Sequence, residues 1–210
     1  MIRILIADDH AIVREGLKQI LTEIPNIKVA DEACNGQETF EKVWKNEYDV
    51  VVLDVSMPGR SGLEVLKQIK GVRPKLPVLI LSMHPEGQYA VRALRAGAAG
   101  YLTKESAPDE LITAIRKVSE GGKYVTLSLA EKMAFDLEAG AYHPPHETLS
   151  DREYQVLCMI ASGKTVKGIA EELCLSSKTI STYRSRIMEK MKMKNNAELT
   201  YYAIKHELVD

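Results

Sequence analysis

The chain is short of cysteine, aromatic residues and long apolar runs, and each shortage removes a class of explanation. Three cysteines, Cys34, Cys158 and Cys174, are an odd number with no metal-ligand spacing. Cys158 and Cys174 lie among Leu157, Met159, Leu173 and Leu175, so both are expected to be buried structural thiols. No apolar run approaches the ~20 residues that cross a bilayer. The start, Met1-Ile2-Arg3-Ile4-Leu5-Ile6-Ala7-Asp8, meets acids too soon for a secretory leader, and a cytoplasmic location is expected. Large net charge is missing too: the formal value is −1. With 45% hydrophobic and 27% charged residues, disorder is disfavoured, and 210 residues allow one large domain or two ordinary ones.

The near-zero total hides an imbalance. Six basic residues (Lys178, Arg184, Arg186, Lys190, Lys192, Lys194) and one acid, Glu189, fall between Ser176 and Lys194. A basic stripe confined to one helical stretch points to phosphate backbones.

Strand and helix patterns alternate through the first 120 residues. The spacing predicts strands over 2–7, 27–33, 50–54, 77–82 and 100–102, with helices over 12–24, 36–45, 86–96 and after Ser61 and Ser106. Five such units make an α/β domain with one doubly wound parallel sheet and helices on both faces. A further helix is expected over 126–138. Ala139–His146, with Gly140, Pro144 and Pro145, reads as an interdomain linker. The last third carries helix signals alone. Ser150-Asp151-Arg152-Glu153 is a capping box with Leu149 placed to staple against Tyr154. Two helices joined by a tight turn at Cys174-Leu175, the second basic, fit a helix-turn-helix. The expected division is therefore 1–121, a linker with a short helix over 122–145, and a smaller all-α domain over 146–210.

The organising stretch is Val50-Val51-Val52-Leu53-Asp54, followed by Pro58, Gly59 and Gly62. Its apolar run reads as a strand buried on both faces, with a carboxylate at its carboxyl end, where open α/β sheets bind ligands. Asp8 and Asp9 end the first strand, which would neighbour the third. Three carboxylates ~4 Å apart repel by several kcal/mol at an effective dielectric near 20, unless a cation sits among them. Oxygen-only ligands with room for water suit Mg²⁺. Ser82 and Lys104 would bring a hydroxyl and an ammonium to the same rim. Together these residues form a phosphoryl-transfer set, with Asp54 as nucleophile and Lys104 and Mg²⁺ neutralising the oxygens.

Asp8-Asp9, Asp54-x-x-Met57-Pro58-Gly59, Ser82, Ala96-Gly97-Ala98-x-Gly100 and Tyr101-x-x-Lys104 resemble response-regulator receiver domains over residues 1 to about 121. The resemblance implies that Asp54 accepts phosphate from a sensor histidine kinase. It implies that Asp9, Asp54 and the Ser56 carbonyl bind Mg²⁺, with Asp8 assisting. It also implies that Ser82 and Tyr101 swing inward on phosphorylation. Met83 departs from the small residue that many receivers carry after the switch hydroxyl. His10, after the acid pair, is expected to be a surface or capping residue.

On the basic helix, Ile180, Tyr183, Ile187 and Met191 form the core face and leave Lys178, Ser181, Thr182, Ser185 and Arg186 outward. Leu149-Ser150-x-Arg152-Glu153-x-x-Val156-Leu157, Gly163, Lys167-x-Ile169-Ala170 and Leu175-Ser176-x-x-Thr179-Ile180 resemble the LuxR-type DNA-binding domain. The full length then resembles a response regulator of the NarL/FixJ family. That resemblance places base-reading positions at Ser181, Thr182 and Ser185, makes Lys167, Lys178 and Arg186 phosphate candidates, and includes Thr179 in the DNA-binding set. Gly168 stands where the family usually has an acid. The resemblance suggests that the last helix, through Ala197, Leu199, Thr200, Ala203 and Ile204, pairs two copies on double-stranded DNA. The implied protein is a phosphorylation-activated transcription regulator, a homodimer on DNA and not an enzyme. Two other readings stand beside it. A Mg²⁺-dependent phosphatase would carry a second acid two residues after the nucleophile, where this chain has Ser56. A protein-interaction switch would leave the basic helix merely solvated.

Overall fold

Apolar runs bounded by turn residues become the interior of a parallel sheet. The computed structural model describes residues 1–138 and 144–209. Strands β1 (Ile2–Ala7), β2 (Ile27–Ala33), β3 (Val50–Asp54), β4 (Val78–Ser82) and β5 (Gly100–Thr103) pair in the order β2-β1-β3-β4-β5, all parallel. They alternate with α1 (Ala11–Thr22), α2 (Gly36–Lys45), α3 (Gly62–Val72), α4 (Glu86–Arg95) and α5 (Pro108–Ser119). One core joins Leu17 and Leu21 of α1 and Leu111, Ile115 and Val118 of α5 to Ile4, Ile6, Val50, Val52, Leu79 and Leu81. These sheet residues lie two apart because alternate side chains share a face. Their neighbours Leu5, Val51, Leu53 and Ile80 are equally buried, so both faces are covered. Each such side chain contributes roughly 1.5–3 kcal/mol on burial.

Local chemistry sets the helix starts. Ser61 Oγ accepts from the Glu64 N–H at 3.3 Å while the Glu64 carboxylate accepts from the Ser61 N–H at 3.1 Å, a complete capping box. Asn35 Oδ1 accepts from the Glu38 N–H at 2.9 Å, but Glu38 reaches past the cap to the Cys34 N–H. The α5 start differs from expectation. Ala107 is the cap with Pro108 in the first turn, and the Ser106 hydroxyl pairs with Thr103 instead. Proline's fixed φ and missing N–H suit a first-turn position, so Pro108 rather than Ser106 sets the boundary.

The chain divides into two compact units, Met1–Glu131 and Lys132–Asp210. Helix α6 (Leu127–Glu138) runs across that division. Of the expected linker, residues 139–143 lie outside the described residues. Pro145 and His146, assigned to it and to its edge, belong to a 3-10 turn, Pro145–Thr148, which Pro145 starts. The second unit then holds α7 (Asp151–Ala161), α8 (Val166–Glu172), α9 (Ser177–Met191) and α10 (Asn196–Lys205). Its capping box is complete between Ser150 and Glu153, and Leu149 and Tyr154 are both buried, as a staple requires. Cys158 is buried as expected, but Cys174 is exposed. It occupies the left-handed position (φ 54°) of the α8–α9 turn, where the chain reverses at the surface.

Candidate functional site

The strand order places Asp8, Asp54, Ser82 and Lys104 at the carboxyl ends of four adjacent strands. Asp54 and Asp8 are 1% and 2% exposed. The Lys104 ammonium stands 2.9 Å from Asp54 Oδ2 and 2.6 Å from Asp8 Oδ2, joining positions 8, 54 and 104. Asp54 Oδ1 accepts from the Ser56 N–H at 3.2 Å. Gly62 closes the loop by donating its N–H to the Val55 carbonyl. Its role is not turn geometry: a side chain there would collide with the backbone oxygen of Asp54.

Burial pushes the Asp54 carboxyl above its usual range, opposed by Lys104 and reinforced by Asp8. Lys104 is held above the ordinary lysine value: burial would lower it, but Asp54 and Asp8 outweigh burial. One ammonium thus answers two buried acids, which leaves the pocket short of positive charge. Asp9 is partly buried, and the half-exposed His10 ring places Nδ1 2.9 Å from Asp9 Oδ1 and 3.3 Å from Asp8 Oδ1.

Ser82 and Tyr101 converge on one residue that the sequence reading did not single out. Ser82 Oγ accepts from the His84 N–H at 3.1 Å, and the Tyr101 hydroxyl donates to the His84 carbonyl at 2.8 Å. The His84 ring lies against Tyr89 (centroids 4.8 Å apart) and its Nε2 is 3.1 Å from Ser56 Oγ. Position alone could have flagged it, because it follows Ser82 by two residues. Tyr101 is fully buried. Met83 points to solvent, 61% exposed.

In the second unit Ile180, Ile187 and Met191 are buried and Tyr183 is half-buried, which turns Lys178, Ser181, Thr182, Ser185 and Arg186 outward. The three hydroxyls are already spent as donors: Ser181, Thr182 and Ser185 bond the carbonyls of Ser177, Lys178 and Ser181 at 2.9–3.1 Å. Towards a partner they present lone pairs. Thr179 sits half-buried in the α9 cap, with Oγ1 2.8 Å from Ser176 Oγ. Lys167 is exposed, 3.9 Å from Glu171. The basic stripe is narrower than the sequence suggests. Lys190 is tied to the buried Glu153 at 2.6 Å and Arg184 to Asn196 at 2.6 Å. On α10, Leu199 and Ala203 are fully buried in their own unit, so its outward residues include Ala197, Tyr201 and Ile204.

Comparison with known proteins agrees with this division. Residues 4–116 match the response regulator receiver domain, and residues 147–203 match the bacterial regulatory proteins of the luxR family. Over 209 residues the chain is 40% identical to the response regulator UvrY of Escherichia coli strain K12, covering 99% of this chain and 96% of that one. The chain belongs to the response-regulator family.

Among solved structures, this response regulator resembles RcsB from Salmonella enterica serovar Typhimurium bound to promoter rprA with phosphomimetic BeF₃⁻. The TM-score is 0.64 and identity 28%, over 96% of this chain and 97% of that one. It also resembles the structure of two RcsB dimers bound to two parallel DNAs (TM-score 0.59, 29% identity, 96% of each chain). Receiver domains bind Mg²⁺ at an acidic pocket, and the residues of this response regulator fit one. Donor atoms of Asp8, Asp9, His10 and Asp54 lie within 4.8 Å of one another. Asp8 Oδ2 and Asp9 Oδ1 are buried atoms without a hydrogen bond of acceptable geometry, although Lys104 and His10 stand close. Among the described residues of this response regulator, no helix is long and apolar enough to cross a membrane.

Proposed function

We propose that this response regulator is a transcription regulator switched by phosphorylation of Asp54. The observation that carries the reading is the Lys104 ammonium bridging buried Asp54 and Asp8, in a chain whose other unit is of the LuxR type. A phosphohistidine on a sensor histidine kinase is the donor. An Asp54 carboxylate oxygen forms the new P–O bond as the donor's P–N bond breaks, and the freed imidazole nitrogen takes up a proton. Lys104 then exchanges its Asp54 contact for the incoming phosphoryl oxygens. Asp9, Asp54 and the Ser56 carbonyl, with Asp8 beside them, would hold Mg²⁺, which supplies further positive charge to those oxygens. The switch pair is Ser82, whose hydroxyl leaves the His84 N–H for the phosphoryl group, and Tyr101, whose hydroxyl holds the His84 carbonyl.

The output is the outward face of α9 in the major groove of double-stranded DNA. Lys178, Arg186 and Lys167 meet phosphates, and Ser181, Thr182 and Ser185 face base edges. With their protons directed to the helix carbonyls, those hydroxyls suit donors on the bases, such as the exocyclic amines of adenine and cytosine. Thr179 belongs to the same surface through the cap it completes. The α10 residues left outward, Ala197, Tyr201 and Ile204, pair two copies on a two-fold site. The protein works as a phosphate acceptor in the cytoplasm and carries out no turnover of its own. The division is a receiver over 1–121, a linker with a helix over 122–145, and the DNA-binding domain over 146–210.

Incubation with Mg²⁺ and a small phosphodonor, followed by intact-mass measurement and peptide mapping, tests this. One added phosphoryl group on Asp54 is expected. An unchanged mass, or a group on another residue, overturns the reading.

A further inference from the structure

Beyond the phosphate pocket, one carboxylate gathers the start of α6. Glu86, the first residue of α4, accepts from the Thr126 hydroxyl at 2.6 Å and from the Ser128 hydroxyl at 3.3 Å, both on Oε2. Thr126 is the residue on which α6 begins. Its carbonyl accepts from the Ala130 N–H at 3.0 Å and its Oγ1 from the Leu129 N–H at 3.3 Å. The Thr126 hydroxyl therefore does two things at once: it caps α6 and donates its proton to α4. A hydrogen bond this short to a charged acceptor belongs to the strong class.

The segment before it is equally tied. The Tyr124 N–H donates to the Ala99 carbonyl at 2.9 Å, and Tyr124 forms an isolated parallel bridge with Gly100. That approach needs a glycine, because a Cβ at 100 would lie 2.7 Å from the Tyr124 carbonyl oxygen. Residues 123–126 thus run along the free edge of β5 and deliver Thr126 to Glu86. Leu129, one turn into α6, is 2% exposed.

At its other end Glu86 is two residues from His84, whose N–H and carbonyl are held by Ser82 and Tyr101. Pro85 between them is the α4 cap and makes no side-chain capping bond. Two residues of chain reach only about 7 Å, so a displacement of His84 is passed directly to Glu86. We infer that the Glu86 carboxylate is a latch by which the phosphate-sensing loop holds the N-terminus of α6, and that phosphorylation opens it. When the Ser82 hydroxyl turns to the phosphoryl group, the His84 N–H loses its acceptor and the loop moves. Glu86 moves with it, and Thr126 loses the partner that fixes its capping rotamer. Because α6 crosses the division between the two units, its N-terminal turn is where a change in the receiver first alters the connection. The latch and its geometry stand by themselves; its opening rests on Asp54 being the phosphoacceptor.

Hydrogen exchange on the full chain, with and without Mg²⁺ and beryllofluoride, tests both parts. In wild type, beryllofluoride is expected to speed exchange of amides 129–131 roughly 5-fold, the loss that follows from removing a cap worth about 1 kcal/mol. Glu86→Ala, which removes the acceptor, and Thr126→Val are expected to exchange at that faster rate before loading and to gain nothing on loading. Thr126→Ser, which keeps the hydroxyl, should behave as wild type. Amides 51–53 of β3 report that each variant is folded. Wild-type rates in unloaded Glu86→Ala would show that there is no latch. A loading response in Glu86→Ala as large as in wild type would show that the signal travels elsewhere. Absence of an Asp54-bound fluoride signal by ¹⁹F NMR would overturn the phosphoacceptor reading and the opening with it, while unloaded Glu86→Ala would still decide the latch.

Discussion

The two units build their sites in opposite ways. The receiver assembles its pocket from residues far apart in sequence, each fixed at the end of a different strand and buried on arrival. The DNA-binding unit lays most of its candidate contacts along one helix, α9, where Lys178, Ser181, Thr182, Ser185 and Arg186 are all exposed. In the first, charges out of water make every member depend on the others. In the second, side chains in water act nearly independently. Removal should therefore be abrupt in one unit and graded in the other.

The sharpest way to break this contrast is Asp54→Asn. It should abolish kinase-dependent strengthening of promoter binding while leaving the unphosphorylated affinity within about twofold, measured by titration of labelled DNA. An equal response to kinase in the variant would show that control lies outside the pocket.

Next in size is Lys104→Met, which leaves two buried acids facing each other. Denaturant unfolding should show a loss of about 3 kcal/mol without divalent ions. Part of it should return on adding Mg²⁺, because an ion that binds the folded form stabilises it. A variant as stable as wild type would mean that the acids simply take up a proton.

On α9 the expected effects are smaller and of two kinds. Ser185→Ala should cost about 1–3 kcal/mol on the preferred sequence and relax discrimination there, whereas Arg186→Ala should weaken all sequences alike. It should also lower the slope of log affinity against log salt by about 1. If the two variants behave alike, the division into base and phosphate contacts is wrong.

The smallest effect sharpens the contrast from within the receiver. Glu38, held by the Cys34 N–H and by Lys42, titrates at about 2 instead of 4.5. A depressed carboxylate stabilises the fold above its unfolded value and loses that contribution as pH falls through the folded one. The Glu38→Gln variant should thus be less stable than wild type at pH 7, and the gap should close between pH 4.5 and 2. The side chain is about a third exposed, so solvent screening keeps the difference near 0.5 kcal/mol. A gap independent of pH would place the effect in packing.

What was legible in the sequence follows the same division. Val50–Asp54 announced a buried strand, and the Ser61/Glu64 and Ser150/Glu153 boxes announced helix starts, because those signals are local. The convergence of Asp8, Asp54 and Lys104 needed the strand order, which right-handed parallel crossovers nearly dictate. The role of His84 was not legible, since its backbone rather than its side chain joins Ser82 to Tyr101. Lys190 counted towards the basic stripe because nothing local shows that Glu153, 37 residues earlier, reaches it. Leu199 and Ala203 were placed on the pairing surface because a short amphipathic helix does not say which neighbour takes its apolar side. Cys174 read as core by its neighbours, yet the left-handed turn position carried it outward.

The crowding at Gly62 bears on how natural variation in this chain should be interpreted. Any other residue there would have to push the end of β3 aside, misplacing the acid proposed to receive the phosphate. Such a variant would look in a genetic screen like a lost phosphorylation site. The lesion, though, would be an ångström-scale error in backbone position at a residue that never touches phosphorus.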